Sequence, residues 1–520
     1  MWFGELHLSG RGVKSQLYGS FFMSDYILAI DQGTTGTTCL VVNMGSRESR
    51  SVKVEGRGYA EFPQYFPQPG WVEHDLNEIW DSTTHAVKGA LETAGIKGED
   101  IAAIGITNQR ETTGLWDTSG NPVARAIVWQ DRRTADTCEK LRNAGHLDMV
   151  KERTGLVLDP YFSGTKVAWL LNNVEGLRAR ANEGELRFGT MDTWLIWKLT
   201  QGKAHVTDAT NASRTLLYDI HQNQWDEELC GILGEIPSTL LAEVCDSSHV
   251  YGTTEGLSVL PDGIPIAGIA GDQQSSLFGQ ACFEEGMAKC TYGTGAFALM
   301  NTGSRAVPSE NGMLTTIAWR LGGRTTYAIE GSTFIAGAVV QWLRDGLQFF
   351  KSSSEIEALA ASVEDNGGVI LVPALTGLGA PHWRPEARGL LCGLTRGTTR
   401  GHIARAALEG IAYQVNDLLG AMGEDSGKSI EVLRVDGGAT ANNFLMQFQS
   451  DLLGISLHRP EVLDTTALGA AYLAALGVGI FSDLSEVTRA WALEREFTSE
   501  VSREVVADQV TQWRAAVERA

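Results

Sequence analysis

YILAIDQGTTG at Tyr26–Gly36 and GMAKCTYGTGA at Gly286–Ala296 share one skeleton, almost half a chain apart. Each has a short apolar strand, then a polar residue, one spacer, Gly-Thr and a small residue. A second apolar run follows, TCLVVN from Thr38 and AFALMN from Ala296. Gly33-Thr34 and Gly293-Thr294 occupy the same place in the two copies. Glycine lets a turn run tight and close to a ligand, and successive turn N–H groups with Thr hydroxyls form a concave anion site. Two such turns facing one another predict a nucleoside triphosphate held in a cleft between two related domains. The copies differ where the first has Asp31 and the second Thr291. A carboxylate beside phosphates repels them unless a divalent cation lies between, so Asp31 is a magnesium-site candidate.

Working outward, 520 residues exceed one core, since domains run to about 150 residues. The repeat turns that expectation into two large domains with insertions: 23–280, with the first phosphate turn, and 281–520, with the second. The boundary falls near Gln280–Gly286. Residues 1–22 lack an apolar signal core, and Met23 directly precedes the first strand, so they read as an over-called or disordered extension. A net charge of −21 argues against nucleic acid or an anionic membrane as partner. No apolar run reaches the ~18 residues of a membrane span. Seven dispersed cysteines without a CxxC pair fit reduced thiols in the cytoplasm.

Helix and strand signals alternate, which predicts an α/β architecture. HDLNEIWDSTTHAVKGALETAG reads as a helix with Asp75 as N-cap, Glu78 in a capping-box position and Gly95 as the stop. Three apolar strands deliver polar clusters at their carboxyl ends, where open α/β sheets bind ligands. Ile101–Thr107 leads to Asn108-Gln109-Arg110-Glu111, Ile264–Ala270 to Gly271-Asp272-Gln273-Gln274, and Ile430–Val435 to Asp436-Gly437-Gly438. A helix is expected from Asn442, and a closing helix in the tail after Ser499.

Together with AIDQGTT, PGWVEHD, AAIGITNQRETT, GLVLDPYFSGTK, FGTMDTWLIWKLT, DATNASRT, GIAGDQQSSLFGQ, TYGTG, TGLGAPHW, LRVDGGATANNFLMQFQSD and TALGAAYLA, in order across nearly all of 25–497, the chain resembles the carbohydrate kinases, and within them the glycerol kinases. The resemblance implies two actin-like (ribonuclease H-like) α/β domains, each a mixed sheet flanked by helices, with an interdomain active-site cleft. It implies ATP and Mg²⁺, glycerol as the acceptor with sn-glycerol 3-phosphate and ADP as products, and a homodimer or homotetramer. Asp272 is the implied base, with Asp31 beside it as the second catalytic carboxylate. The same Asp272 also reads as a turn residue capping the following helix.

By the same resemblance, Arg110, Glu111, Tyr161 and Gln273 bind the triol and Trp129 and Phe297 wall its carbons. Glycerol offers little apolar surface, so hydrogen bonds must carry its affinity, and an Arg–Glu pair suits that. Thr34, Thr35, Gly36 and Thr294 are expected on the phosphates; Gly337, Gln341, Gly438 and Asn442 line the nucleotide cleft. Lys166 in SGTK offers a phosphate ligand but reads better as a solvated loop lysine, and His221, in a loop where a phosphotransferase protein controls some relatives, reads better as a solvated loop histidine.

Two stretches depart from the family pattern. Where its members carry an arginine after the first turn, this chain has Thr38. Where some bacterial members carry a basic pair that binds fructose 1,6-bisphosphate, it has Cys245-Asp246, so that control is expected to be absent or weak. Rival readings are a kinase for another polyol or ketose and an actin-like filament or chaperone ATPase, for which Arg110, Glu111, Tyr161, Asp272 and Gln273 have no use.

Overall fold

The computed structural model describes residues 25–46 and 51–520; the expected extension 1–22 and Met23 lie outside the described residues. Both quoted stretches are hairpins. Strand β1 (Tyr26–Gln32) turns at Gly33 into β2 (Gly36–Asn43), which pairs with β3 (Lys53–Glu61). The chain then forms helix α1 (Leu76–Ala94) and returns as β4 (Ile101–Asn108), parallel to β1. Strands β5 (Ser248–Thr253) and β6 (Pro265–Gly271) complete a six-stranded sheet in the order β5-β6-β4-β1-β2-β3.

After helix α2 (Asp272–Gly279) the pattern is repeated. Strands β7 (Ala288–Tyr292) and β8 (Ala296–Gly303) form the second hairpin. With β9 (Leu314–Leu321), β10 (Arg324–Thr333), β11 (Val432–Asp436), β12 (Ser456–Pro460) and β13 (Leu493–Phe497) they build a seven-stranded sheet, β9-β10-β8-β7-β11-β12-β13. Read from β3 and from β10, both sheets run antiparallel, antiparallel, parallel, parallel, antiparallel. The duplication therefore extends from the turns to the whole sheet topology.

Period-two alternation sends each strand's apolar residues to two different cores. In β1, Leu28 and Ile30 join Ala86, Val87 and Ala90 of α1, while Ile27 and Ala29 join the core built on helix α3 (Thr465–Gly477). Helix α3 follows β12 in the second half of the chain yet lies on the first sheet; α2 follows β6 of the first sheet yet packs on the second, where Leu277 and Phe278 meet Leu299 of β8. The two helices cross each other. Their contact is backbone on backbone: a Cβ at Gly469 would collide with the Ser275 carbonyl, and one at Gly105 of β4 with the Ala470 carbonyl.

Local signals set several ends. Asp75 caps α1 by accepting from Asn77 N–H at 2.8 Å, and Gly95 ends it at φ 69°. Glu78 closes no capping box: its carboxylate accepts instead from the Tyr65 hydroxyl at 2.8 Å. The helix after β11 spans Asn443–Leu453, with Asn442 as its N-cap accepting from Leu445 N–H at 2.9 Å. The tail helix Arg503–Val517 buries Trp513, stacked on Tyr413 with ring centroids 5.1 Å apart. All seven cysteines are free thiols. Among the described residues no helix is long and apolar enough to cross a membrane.

Candidate active site

The carboxyl ends of β4 and β6 lie side by side, with Gly271 in register with Asn108. This parallel pairing brings Arg110-Glu111 next to Asp272. Arg110 is buried, and its Nε lies 3.0 Å from Asp272 Oδ1. Glu111 sits at φ 62°, a left-handed conformation that a side-chain-bearing residue holds only when its surroundings enforce it. Here the Ser163 and Thr113 hydroxyls donate to its carbonyl at 3.0 and 3.1 Å. Asp272 opens α2, and its side chain is the most exposed of this group at 32%.

Aromatic side chains join this cluster to the first turn. Trp129 donates its indole N–H to Thr34 Oγ1 at 2.9 Å and meets Tyr161 edge to face at 5.6 Å. Across the cleft, Gln273 accepts from Lys289 Nζ at 2.5 Å, and Lys289 also donates to Thr291 Oγ1 at 2.8 Å. Thr291 is in register with Phe297, which places Phe297 on the neighbouring strand, half-buried. In the second turn Gly337 N–H donates to the Gly293 carbonyl at 2.9 Å, and Ala336 and Ala338 donate to the Thr294 carbonyl at 2.8 and 3.1 Å. Gly438 begins the turn after β11, with open space where a Cβ would stand. Gln341, on helix Gly337–Asp345, is exposed on the second-sheet side of the cleft. Thus Arg110, Glu111, Asp272 and Gln273 stand together, and Thr34 and Trp129 join them through Tyr161, whose ring lies 5.7 Å from the Arg214 guanidinium that bonds Glu111, while Gly337 bonds the second turn.

Asp31 ends β1 next to the first turn. Burial, then the charges of Asp272 and Asp464, push its carboxyl up to about 7, against a smaller opposing effect of Arg57. Asp31 is half-buried, and a cation beside it would relieve the repulsion among these carboxylates. Among the described residues no three His, Cys, Asp or Glu side chains group as a protein-only metal cage.

Three residues missed in the sequence, Glu330, Arg214 and Lys289, and Asp436, which the sequence placed at a strand end without a role, complete the site. Glu330 of β10 pairs with Arg110 through both oxygens, at 2.5 and 2.9 Å. Arg214 donates to Glu111 at 2.6 Å and to Glu330 at 3.1 Å. Burial pushes the Glu330 carboxyl up, but Arg110 and then Arg214 outweigh it and hold it at about 2. Asp436, buried at the end of β11, accepts from Thr291, Thr465, Ser276 and Gln280 at 2.5–3.0 Å. Lys289 is fully buried; a lysine inside the largely buried strand AKCTY was the signal that could have exposed it. Lys166 requires a correction. It is no solvated loop residue but lies buried in helix Ser163–Asn173, donating to the Tyr161 carbonyl at 2.5 Å. Its burial lowers the ammonium to about 7, despite the carboxylates of Glu111, Asp131 and Asp159. His221 is exposed and bonds the Glu152 carbonyl at 2.9 Å.

The site's place in a duplicated kinase-like frame agrees with the comparisons to known proteins. The N-terminal domain of the FGGY family of carbohydrate kinases matches residues 26–279, and its C-terminal domain matches 288–478. A glycerol kinase of Myxococcus xanthus is 58% identical over 498 residues, covering 95% of this chain and 99% of that one. A Bacillus subtilis glycerol kinase is 54% identical over 499 residues, covering 96% and 99%. The crystal structure of Plasmodium falciparum glycerol kinase with ADP superposes with a TM-score of 0.88 at 36% identity, covering 95% of this chain and 98% of that one. The chain therefore belongs to the FGGY family of carbohydrate kinases.

Proposed function

We propose that this protein transfers the γ-phosphoryl group of ATP to glycerol, giving sn-glycerol 3-phosphate and ADP, in the cytoplasm. The observation that carries the reading is the 3.0 Å contact between Arg110 and Asp272 inside one connected set that reaches Thr34 of the first phosphate turn. Polyol-binding groups and a phosphate turn within one cleft are what this transfer requires. The full-length similarity to glycerol kinases supports glycerol as the acceptor over other polyols.

Phosphoryl transfer passes through a loose transition state, so the protein's task is positioning and charge balance. Thr34, Thr35, Gly36 and Thr294 offer hydroxyl and backbone donors to the phosphates. Gly337, Gln341, Gly438 and Asn442 receive the nucleoside. Arg110 and Glu111 give the triol a donor and an acceptor fixed in register, with Tyr161 and Gln273 alongside and Trp129 and Phe297 against its carbons. Asp272, the most open carboxylate of the set, orients the primary hydroxyl and takes its proton late in the transfer. Asp31 would hold magnesium, which would supply neutralisation of the phosphate charge. Closure of the two sheets keeps water, a competing nucleophile, from the γ-phosphate.

A coupled ADP assay with glycerol, dihydroxyacetone, erythritol and xylulose tests the reading. Glycerol is expected to give the highest kcat/KM; turnover of a sugar with none of glycerol would refute it. A filament or chaperone ATPase would show no acceptor dependence at all.

A further inference from the structure

Glu330 stands on β10, in register with Leu299 and Leu314 of the second sheet. Its carboxylate nevertheless grips Arg110 from the first sheet, Oε2 with Nη1 at 2.5 Å and Oε1 with Nη2 at 2.9 Å. The same Oε1 accepts from Arg214 Nη2 at 3.1 Å; Arg214 Nε reaches Glu111 Oε1 at 2.6 Å, and that oxygen lies 3.9 Å from Arg110 Nε. Arg110, Glu330, Arg214 and Glu111 thus close a ring of alternating charge, every side chain at most 3% exposed. Two guanidiniums and two carboxylates leave the ring neutral, and Asp272 is the carboxylate outside it.

The hydrogen bonds fix a direction. Glu330 takes one hydrogen from each terminal nitrogen of Arg110, and Gln274 Oε1 accepts from Nη1 at 3.2 Å. A planar guanidinium held on that edge is fixed in orientation, and its Nε lies 3.0 Å from Asp272 Oδ1, a charge contact without hydrogen-bond alignment. Arg214 holds Glu111 by a single bond, Nε to Oε1 at 2.6 Å.

We propose that Glu330 is a positioning residue for phosphoryl transfer: from the second sheet it sets the angle at which Arg110 meets Asp272 and the acceptor. The catalytic geometry is then complete only while β10 is docked on the first sheet. This rests on the polyol-site reading above, and it adds a charged residue of the second sheet to a set of charged groups otherwise supplied by the first half of the chain.

The test uses the full-length chain and steady-state kinetics with ATP. Glu330→Gln keeps the size, removes the charge and puts an amide where an acceptor stood. Its kcat/KM for glycerol is expected to fall by about 100-fold, chiefly in kcat, as for a reacting group misplaced by about 1 Å. Its KM for ATP is expected to stay within about threefold, and the preference for glycerol over 1,3-propanediol to drop by about 10-fold as the triol's partners lose register. Glu330→Asp, which keeps the charge, recovers part of the loss. Should Glu330→Gln not fold, the double variant Arg214→Gln, Glu330→Gln keeps the charge balance and is expected to show the same kinetic pattern. Either folded variant retaining glycerol kcat/KM within about threefold overturns the proposal, as does a loss shared equally by glycerol, 1,3-propanediol and ATP, which is what a purely structural role produces. The wild-type rate on the acceptor panel tests the reading of the site separately, because the variant-to-wild-type ratio is taken on the best acceptor, whichever that proves to be.

Discussion

Lys166 carries its amine into the protein interior, with the Tyr161 carbonyl at 2.5 Å as its hydrogen-bond partner. Burial lowers it from 10.5 to about 7. The folded state therefore releases a proton that the unfolded chain keeps between roughly pH 7 and 10.5. Raising the pH through that window stabilises the wild type, by at most about 1.4 kcal/mol per pH unit. Denaturant titrations of Lys166→Met should show its stability advantage over wild type shrinking from pH 7 to pH 10; a constant difference would show that the amine does not titrate there. Asp272 belongs to the same scale. Asp272→Asn is expected to lower kcat about 10²–10⁴-fold while calorimetric ATP and glycerol affinities stay nearly unchanged, and near-wild-type turnover would remove Asp272 from its assigned role. Single residues also mark where sequence reading stopped. Asp272 and Arg110-Glu111 were legible because each follows a buried strand directly. Arg214 and Glu330 were not, since Glu330 meets Arg110 across 220 positions of chain and Arg214 across 116, separations that only the fold closes. Lys166 was misread because SGTK looks polar, whereas Ser163 starts a helix whose other face meets the core of Phe162, Val167 and Leu170.

Among elements, α1 and the two hairpins were readable from local chemistry: an N-cap, an apolar stripe, a left-handed glycine, two turn signatures. The positions of α2 and α3 were not, because an Ala- and Gly-rich helix such as TTALGAAYLAALG has no polar face to say which sheet it covers. The small residues make sense once the backbones are seen to touch. Gly469→Ala would force α3 away from the Ser275 carbonyl, a clash with fixed backbone that costs about 1–3 kcal/mol as overpacking does. Urea unfolding should show that loss with little change in slope; unaltered stability would mean that the two helices separate freely.

For the molecule as a whole, ion pairs between the two halves differ in weight according to burial. Arg57–Asp464, at 2.6 Å but 53% and 36% exposed, contributes about 0–1 kcal/mol. Removing one partner of the buried Glu330–Arg110 pair leaves an unbalanced charge at a cost of about 3–5 kcal/mol. A third bridge lies far from the cleft: Asp246 accepts from Arg320 Nε at 2.6 Å and from Gly323 N–H at 2.8 Å. Arg320, which this loop holds, is thus already neutralised, so fructose 1,6-bisphosphate at millimolar concentration is expected to leave turnover unchanged; inhibition that persists in Asp246→Asn would contradict this.

Helices α2 and α3 each roof the sheet of the opposite half. A gene cut between residues 280 and 288 would yield two polypeptides, each with one bare apolar floor and one stranded amphiphile that fits only its sibling. Expressed singly, such pieces should aggregate; synthesised together, they should reassemble into a functional enzyme without any covalent tether.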